Sequence, residues 1–202
     1  MVNKRLKMIH KYTINGLQMQ TGDILCLAFH GDPQNHPVNH WRLLGLLIPG
    51  EVDHVAVYVG PEGRCIESAY RGVYEFHISE NRWRPRKMYK YRGRFKDDFV
   101  GAAYPLQGRG LSETDENQIR QDVAEFCLAQ VDKPYNINFL NPDSDDAFYC
   151  SQLAYKAYLP HGINLNTDHG VPHIIGSSRI VFPNEIWRGC HRQRGHHNSV
   201  ES

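Results

Sequence analysis

Of the five cysteines in this chain, Cys150 stands where a thiol could be put to chemical use. It follows the acidic loop "NPDSDDAF" and opens "YCSQLAYKAY", residues 149–158, which reads as the first turns of a helix. A thiol attacks an acyl carbon as its thiolate, and a helix N-terminus and a neighbouring imidazolium both favour that form. His54, in "VDHVAVYVG", is the imidazole candidate: positions 54, 56 and 58 of a strand share one face, with Val55, Val57 and Val59 on the other. A working imidazole also needs a group that fixes its tautomer. Glu67, in "RCIESAY", lies on the next strand of the same hairpin, within cross-strand reach of His54. Together Cys150, His54 and Glu67 make a constellation suited to a nucleophilic thiol, though a hairpin with one histidine and one glutamate is common.

Each residue alone has a commoner explanation. Free cysteines are among the most buried residue types, a single strand histidine is usually a hydrogen-bonded core or surface group, and a strand glutamate is usually solvated. What matters is whether the surrounding elements bring the three together.

Those elements form a strand-then-helix series. "GDILCLAF" (22–29) reads as a strand leading into the loop "HGDPQNHPVN", and "HWRLLGLLI" (40–48) as a short helix closed by Pro49 and Gly50. "VDHVAVYVG" (52–60), the turn "PEG" and "RCIESAY" (64–70) form a hairpin, which "GVYEFHI" (72–78) extends as an antiparallel strand. Residues 82–96, "RWRPRKMYKYRGRFK", are basic with interleaved aromatics, and "KMYKYRG" fits a strand with one solvated face. "LSETDENQIRQDVAEFCLAQV" (111–131) is the clearest helix: Ser112 and Asp115 have cap spacing, and Ile119, Val123, Phe126, Cys127 and Val131 share a face. In the helix after Cys150, Leu153, Ala154, Ala157 and Tyr158 make the core face. The expectation is one α+β domain over residues 20–189, with an N-terminal extension at 1–19 and a polar, frayed tail at 190–202.

Composition narrows the function classes. With 23 basic against 22 acidic side chains among 202 residues, the chain carries no global charge that would recruit a polyanion, which weighs against nucleic acid. The stretch at 82–96, with Trp83, Tyr89 and Tyr91, is the one segment that suits phosphate contacts and base stacking without any turnover. The thiols are odd in number and scattered, with no CxxC pair, which favours reduced cysteines in a cytoplasm. No apolar run suits a signal peptide, and "LLGLLIP" (43–49) is too short to span a bilayer, so a soluble chain is expected. The same segment leaves peripheral membrane contact open. His36/His40 and His169/His173 lack partners at ligand spacing, and there is no glycine-rich phosphate loop or acidic cluster, so no cofactor or metal is expected.

Read in order, "GDIL", "DHVAVYVG", "CIESAY", "KPYNINF" and "FYCSQLAYKAY" resemble the motifs of the circularly permuted, NlpC-like branch of papain-like cysteine hydrolases, and within it the YiiX/YycO-like group. "FPNEIW" (182–187) is similar to that family's late proline-bearing motif, so the resemblance runs from about residue 20 to residue 187. It implies a permuted papain-like fold, an antiparallel sheet or partial barrel packed against helices, with the nucleophile at a helix N-terminus. It further implies Cys150 as nucleophile, His54 as general base and then acid, Glu67 as orienting residue, and Tyr135 with the Cys150 backbone N–H as oxyanion donors. Two features depart from the pattern: Asp53 precedes His54, and the export signal or anchor usual in wall-cutting relatives is not seen. The expected substrate is a peptide-like or peptidoglycan-like amide. The alternative with the same nucleophile is a lipid acyl group, as in the related lecithin retinol acyltransferase, whose orienting group is a second histidine rather than a glutamate. Oligomeric state is not legible in the sequence.

Overall fold

A computed structural model describes residues 8–29, 50–93, 97–169 and 179–195. The expected helix at 40–48, and His36, His40 and His173, lie outside the described residues. Strands β1 (Lys11–Ile14) and β2 (Leu17–Gln20) form a hairpin, which leads into β3 (Ile24–Phe29), β4 (His54–Gly60), β5 (Arg64–Ala69) and β6 (Gly72–His77). The single-turn helix α1 (Tyr89–Arg92) and β7 (Asp97–Tyr104) follow. Then come helices α2 (Glu113–Ala129), α3 (Cys150–Tyr158) and α4 (Pro183–Gly189), and strand β8 (His191–Arg194). Six strands make one antiparallel sheet in the order β6-β5-β4-β3-β7-β8. The sheet is open, with β6 and β8 at its edges, so the architecture is α+β with helices packed on a sheet and not a closed barrel.

Alternation along β4 divides the core. Val55, Val57 and Val59 pack with Val123 and Cys127 of α2 and Leu153, Ala154 and Ala157 of α3. Ala56 and Tyr58 face the opposite side, where Ile14 and Met19 of the first hairpin join Phe76, Trp83 and Met88. Burying both faces of β4 accounts for its almost unbroken apolar run. Residues 11–19, expected only as part of an extension, thus cover one face of the sheet.

Helix α2 starts as its sequence predicts, with Ser112 Oγ accepting the Asp115 N–H at 3.1 Å. Its buried stripe also holds Arg120, which donates to Asp23 Oδ1 at 2.8 Å and to the Thr21 carbonyl at 2.8 Å.

Two expectations are corrected. "KMYKYRG" is not a strand: Pro85 opens a 3₁₀ turn (Pro85–Met88) that runs into α1, and Gly93, at φ +67°, ends it. Met88 and Arg92 then fall on one buried side while Lys90 between them is exposed, a pattern that i, i+4 helical spacing permits and strand alternation would not. Nor is the whole tail frayed. Arg192 and Gln193 pair with Ala103 and Ala102 of β7, so backbone pairing orders a strand whose side chains are all exposed.

Candidate active site

Cys150 occupies the first position of α3, and the turn that carries it is fastened on three sides. The Tyr149 N–H donates to Gln152 Oε1 at 3.2 Å, which satisfies one free donor of the helix start. Ser68 of β5 donates to the Phe148 carbonyl at 2.5 Å, tying the turn to the sheet. On the other side, Ser151 Oγ donates to the Val181 carbonyl at 2.6 Å and the Val181 N–H donates to Tyr149 Oη at 3.1 Å. Cys150 as a whole residue is buried, at 8% exposure.

His54 opens β4, where a ring can reach past the end of the strand. Extending the Val57 to Ile66 register by one step places Glu67 opposite Ala56, diagonal to His54. His54 Nε2 and Glu67 Oε2 are 2.7 Å apart. The imidazole also interacts with the Cys150 sulfur, and with Nε2 committed to Glu67 the nitrogen left for it is Nδ1. The Val55 N–H, next along β4, points at the same sulfur. The three predicted residues therefore line up with His54 in the middle, its side chain 20% exposed.

Electrostatics follows from this line. Burial pushes the Cys150 thiol up, but the His54 charge, the hydrogen bond from His54, and the Val55 and Ser151 donors outweigh it and hold the thiol below its ordinary value. Burial pulls His54 down, yet the thiolate and Glu67 hold it well above the ordinary histidine value. Burial also opposes ionisation of Glu67, but the Arg92 and His54 charges keep it well below the usual carboxylate range. Both shifts at Cys150 and His54 favour thiolate with imidazolium. Among the other cysteines, burial pushes Cys26 and Cys65 well up, Cys127 up to about 12 and Cys190 up to about 11.

Burial and then the Cys150 charge push the Tyr135 phenol up. Its segment is strung between β6 and α3. The Val73 N–H donates to the Lys133 carbonyl at 2.8 Å, and the Asp132 N–H donates to the Val73 carbonyl at 2.9 Å. A backbone bridge joins Tyr135 to Phe148. Asn136 Nδ2 donates to Gln152 Oε1 at 2.9 Å, and Gln152 Nε2 donates to the Pro142 and Ser144 carbonyls at 3.0 and 3.1 Å, so one buried amide pair holds the loop against the helix. The loop then presents Ile137 and Leu140 to solvent at 77% and 55% exposure.

Sequence reasoning missed the residues behind Glu67. Tyr74 Oη donates to Glu67 Oε1 at 2.6 Å, and Arg92 grips both carboxylate oxygens, Nε to Oε1 at 2.6 Å and Nη2 to Oε2 at 2.8 Å. Tyr74 was visible as the residue opposite Glu67 in the β5 to β6 register, whereas nothing in the run 82–96 marks one arginine as buried. A separate cavity of about 580 Å³, lined by Gln18, Asp23, Tyr104, Arg109 and Arg120 among others, shares no residue with this site.

Among the described residues no helix is long and apolar enough to cross a membrane. Searches of curated proteins and of solved structures gave no significant match. The family model for permuted papain-like amidases matches residues 18–178, four-fifths of a chain whose sheet and helix order is that of the fold just described, and the protein belongs to this YaeF/YiiX, C92 family of cysteine-hydrolase-type enzymes.

Proposed function

We propose that the protein hydrolyses an amide bond in a peptide or peptidoglycan-like substrate through an acyl-enzyme on Cys150. The observation that carries this reading is the single imidazole engaged by a thiol on one side and a buried carboxylate on the other. The Cys150 thiolate attacks the amide carbon, a C–S bond forms, and the carbonyl electrons move to oxygen. The Cys150 backbone N–H and the Tyr135 hydroxyl supply the donors that favour this oxyanion. His54, as imidazolium, gives its Nδ1 proton to the departing nitrogen as the C–N bond breaks. Neutral His54 then takes a proton from water, the hydroxide adds to the thioester, and C–S cleavage returns the thiolate and releases the acid. Glu67 keeps the Nε2 proton in place throughout, so Nδ1 is the nitrogen that exchanges.

Incubation with a peptide amide panel, read by mass spectrometry, tests the reading. Wild-type protein is expected to accumulate a thioester adduct on the peptide bearing Cys150, and Cys150→Ala to form none and to turn nothing over. Full activity of the alanine variant would overturn it. Exposed Ile137 and Leu140 beside Tyr135 favour a second reading in which the acyl group is a lipid chain. Release of fatty acid from phospholipid or acyl-thioester, with no cleavage of peptide amides, would select it.

A further inference from the structure

The basic stretch at 82–96 has no place in the mechanism above, yet one of its members is among the largest fully buried side chains of the protein. Arg92 is 2% exposed and both faces and edges of its guanidinium are engaged. One edge takes Glu67 as described; the other takes Asp97, Nη1 to Oδ1 and Nη2 to Oδ2, both at 2.7 Å. The cation lies 4.8 Å from the Trp83 ring centre and 5.0 Å from that of Phe76, and Trp83 Nε1 donates to the Asp97 carbonyl at 2.8 Å.

A carboxylate offers about four lone-pair directions. On Glu67, Oε1 is filled by Tyr74 and Arg92 Nε, and one direction of Oε2 by Arg92 Nη2, which leaves the fourth for His54 Nε2. We propose that Arg92, anchored by Asp97, is the positioning residue of this site: it fixes Glu67 in the one orientation whose remaining lone pair accepts the His54 Nε2 proton. The inference rests on Cys150 being the nucleophile. It also explains the second carboxylate. Arg92 alone would cancel the charge that Glu67 offers to the imidazolium, and Asp97 restores a net negative charge behind His54. The charged and titratable groups then run in alternating sign from Cys150 through His54, Glu67 and Arg92 to Asp97, with Tyr74 and Cys65 as neutral neighbours. A lysine cannot substitute, because an ammonium has no planar fork to hold two carboxylates at once.

The test uses full-length protein labelled with ¹⁵N-histidine, with His54 assigned by its loss in His54→Gln. Wild type is expected to show His54 protonated and hydrogen-bonded at Nε2. In Arg92→Gln and in the charge-conserving Arg92→Lys that Nε2 hydrogen-bond signature is lost or weakened, and kcat falls about tenfold or more with KM little changed. Should Arg92→Gln fail to fold, Arg92→Lys and Asp97→Asn carry the same readout. A folded Arg92 variant with the wild-type His54 signal and kcat overturns the inference. Iodoacetamide labelling of wild type separates this from failure of the underlying reading. If Cys150 is no more reactive than the other thiols, the nucleophile assignment fails and the Arg92 role with it. If Cys150 is selectively reactive and the Arg92 variants keep the histidine signal, the Arg92 role alone fails.

Discussion

Replacing Glu67 by glutamine removes one charge at a residue that accepts four hydrogen bonds, and both its effects follow from those contacts. The carboxylate is fully buried and takes His54 at 2.7 Å, Tyr74 at 2.6 Å, and Arg92 at 2.6 and 2.8 Å. Removing one partner of a buried ion pair costs about 3–5 kcal/mol. Here Arg92 keeps its Asp97 partner at 2.7 Å, so the lower end, about 3 kcal/mol, is expected. For a chain of this length each kcal/mol moves Tm by about 2–4 °C, giving a fall of about 6–12 °C. The amide must also turn its NH2 either toward the Arg92 donors or toward His54, and in both poses the imidazole loses its charged acceptor. A charge-assisted hydrogen bond is worth about 1.5–3 kcal/mol, so kcat/KM should fall by roughly 10- to 150-fold. Thermal unfolding and steady-state kinetics on a cleavable amide read the two effects separately. A Glu67→Gln protein with wild-type Tm and kcat/KM within threefold of wild type would refute the reasoning.

Turnover against pH should be bell-shaped: activity appears as pH rises through the lowered Cys150 value and disappears as pH rises through the raised His54 value, so the plateau extends to the alkaline side of an ordinary histidine. In Tyr135→Phe, kcat is expected to fall about ten- to a hundredfold, as steady-state kinetics would show. Gly72 sits at φ +94°, and a Cβ there would run into the Lys133 carbonyl that receives the Val73 N–H. Gly72→Ala should therefore destabilise the protein by about 1–3 kcal/mol and displace the segment that carries Tyr135, measurable as a lower denaturation midpoint together with lower kcat.

The hairpin of His54 and Glu67 was legible because a period-two pattern fixes which side chains share a face and a short turn fixes register. The start of α3 was legible from the break between the acidic loop and "YCSQLAYKAY". Arg92 was not, because eight basic residues crowd 82–96 and burial of one depends on two things no local pattern encodes: the helical turn after Pro85, and the arrival of β7 with Asp97 on the same face. The basic stretch looked like a solvated strand face; its members Trp83, Met88 and Arg92 are instead buried, with Arg92 gripping Glu67 and lying over Trp83. β8 escaped for the opposite reason. All four of its side chains are exposed, so side-chain hydropathy carries no sign of a strand made by backbone pairing to β7. Arg120 hid in the same way within α2, where a charged residue on the buried stripe is satisfied by Asp23 from ninety-seven residues upstream.

One thiol of five is held as thiolate by its surroundings. Native protein treated briefly with iodoacetamide across pH 5–9 and mapped by peptide mass spectrometry tests it directly. Alkylation is expected at Cys150 already well below the ordinary thiol pKa, with loss of that low-pH reactivity in His54→Gln and little labelling of Cys26, Cys65, Cys127 or Cys190 until the protein is unfolded. Labelling of Cys150 that rises only near pH 8.5, the ordinary thiol range, and is indifferent to His54 would contradict it.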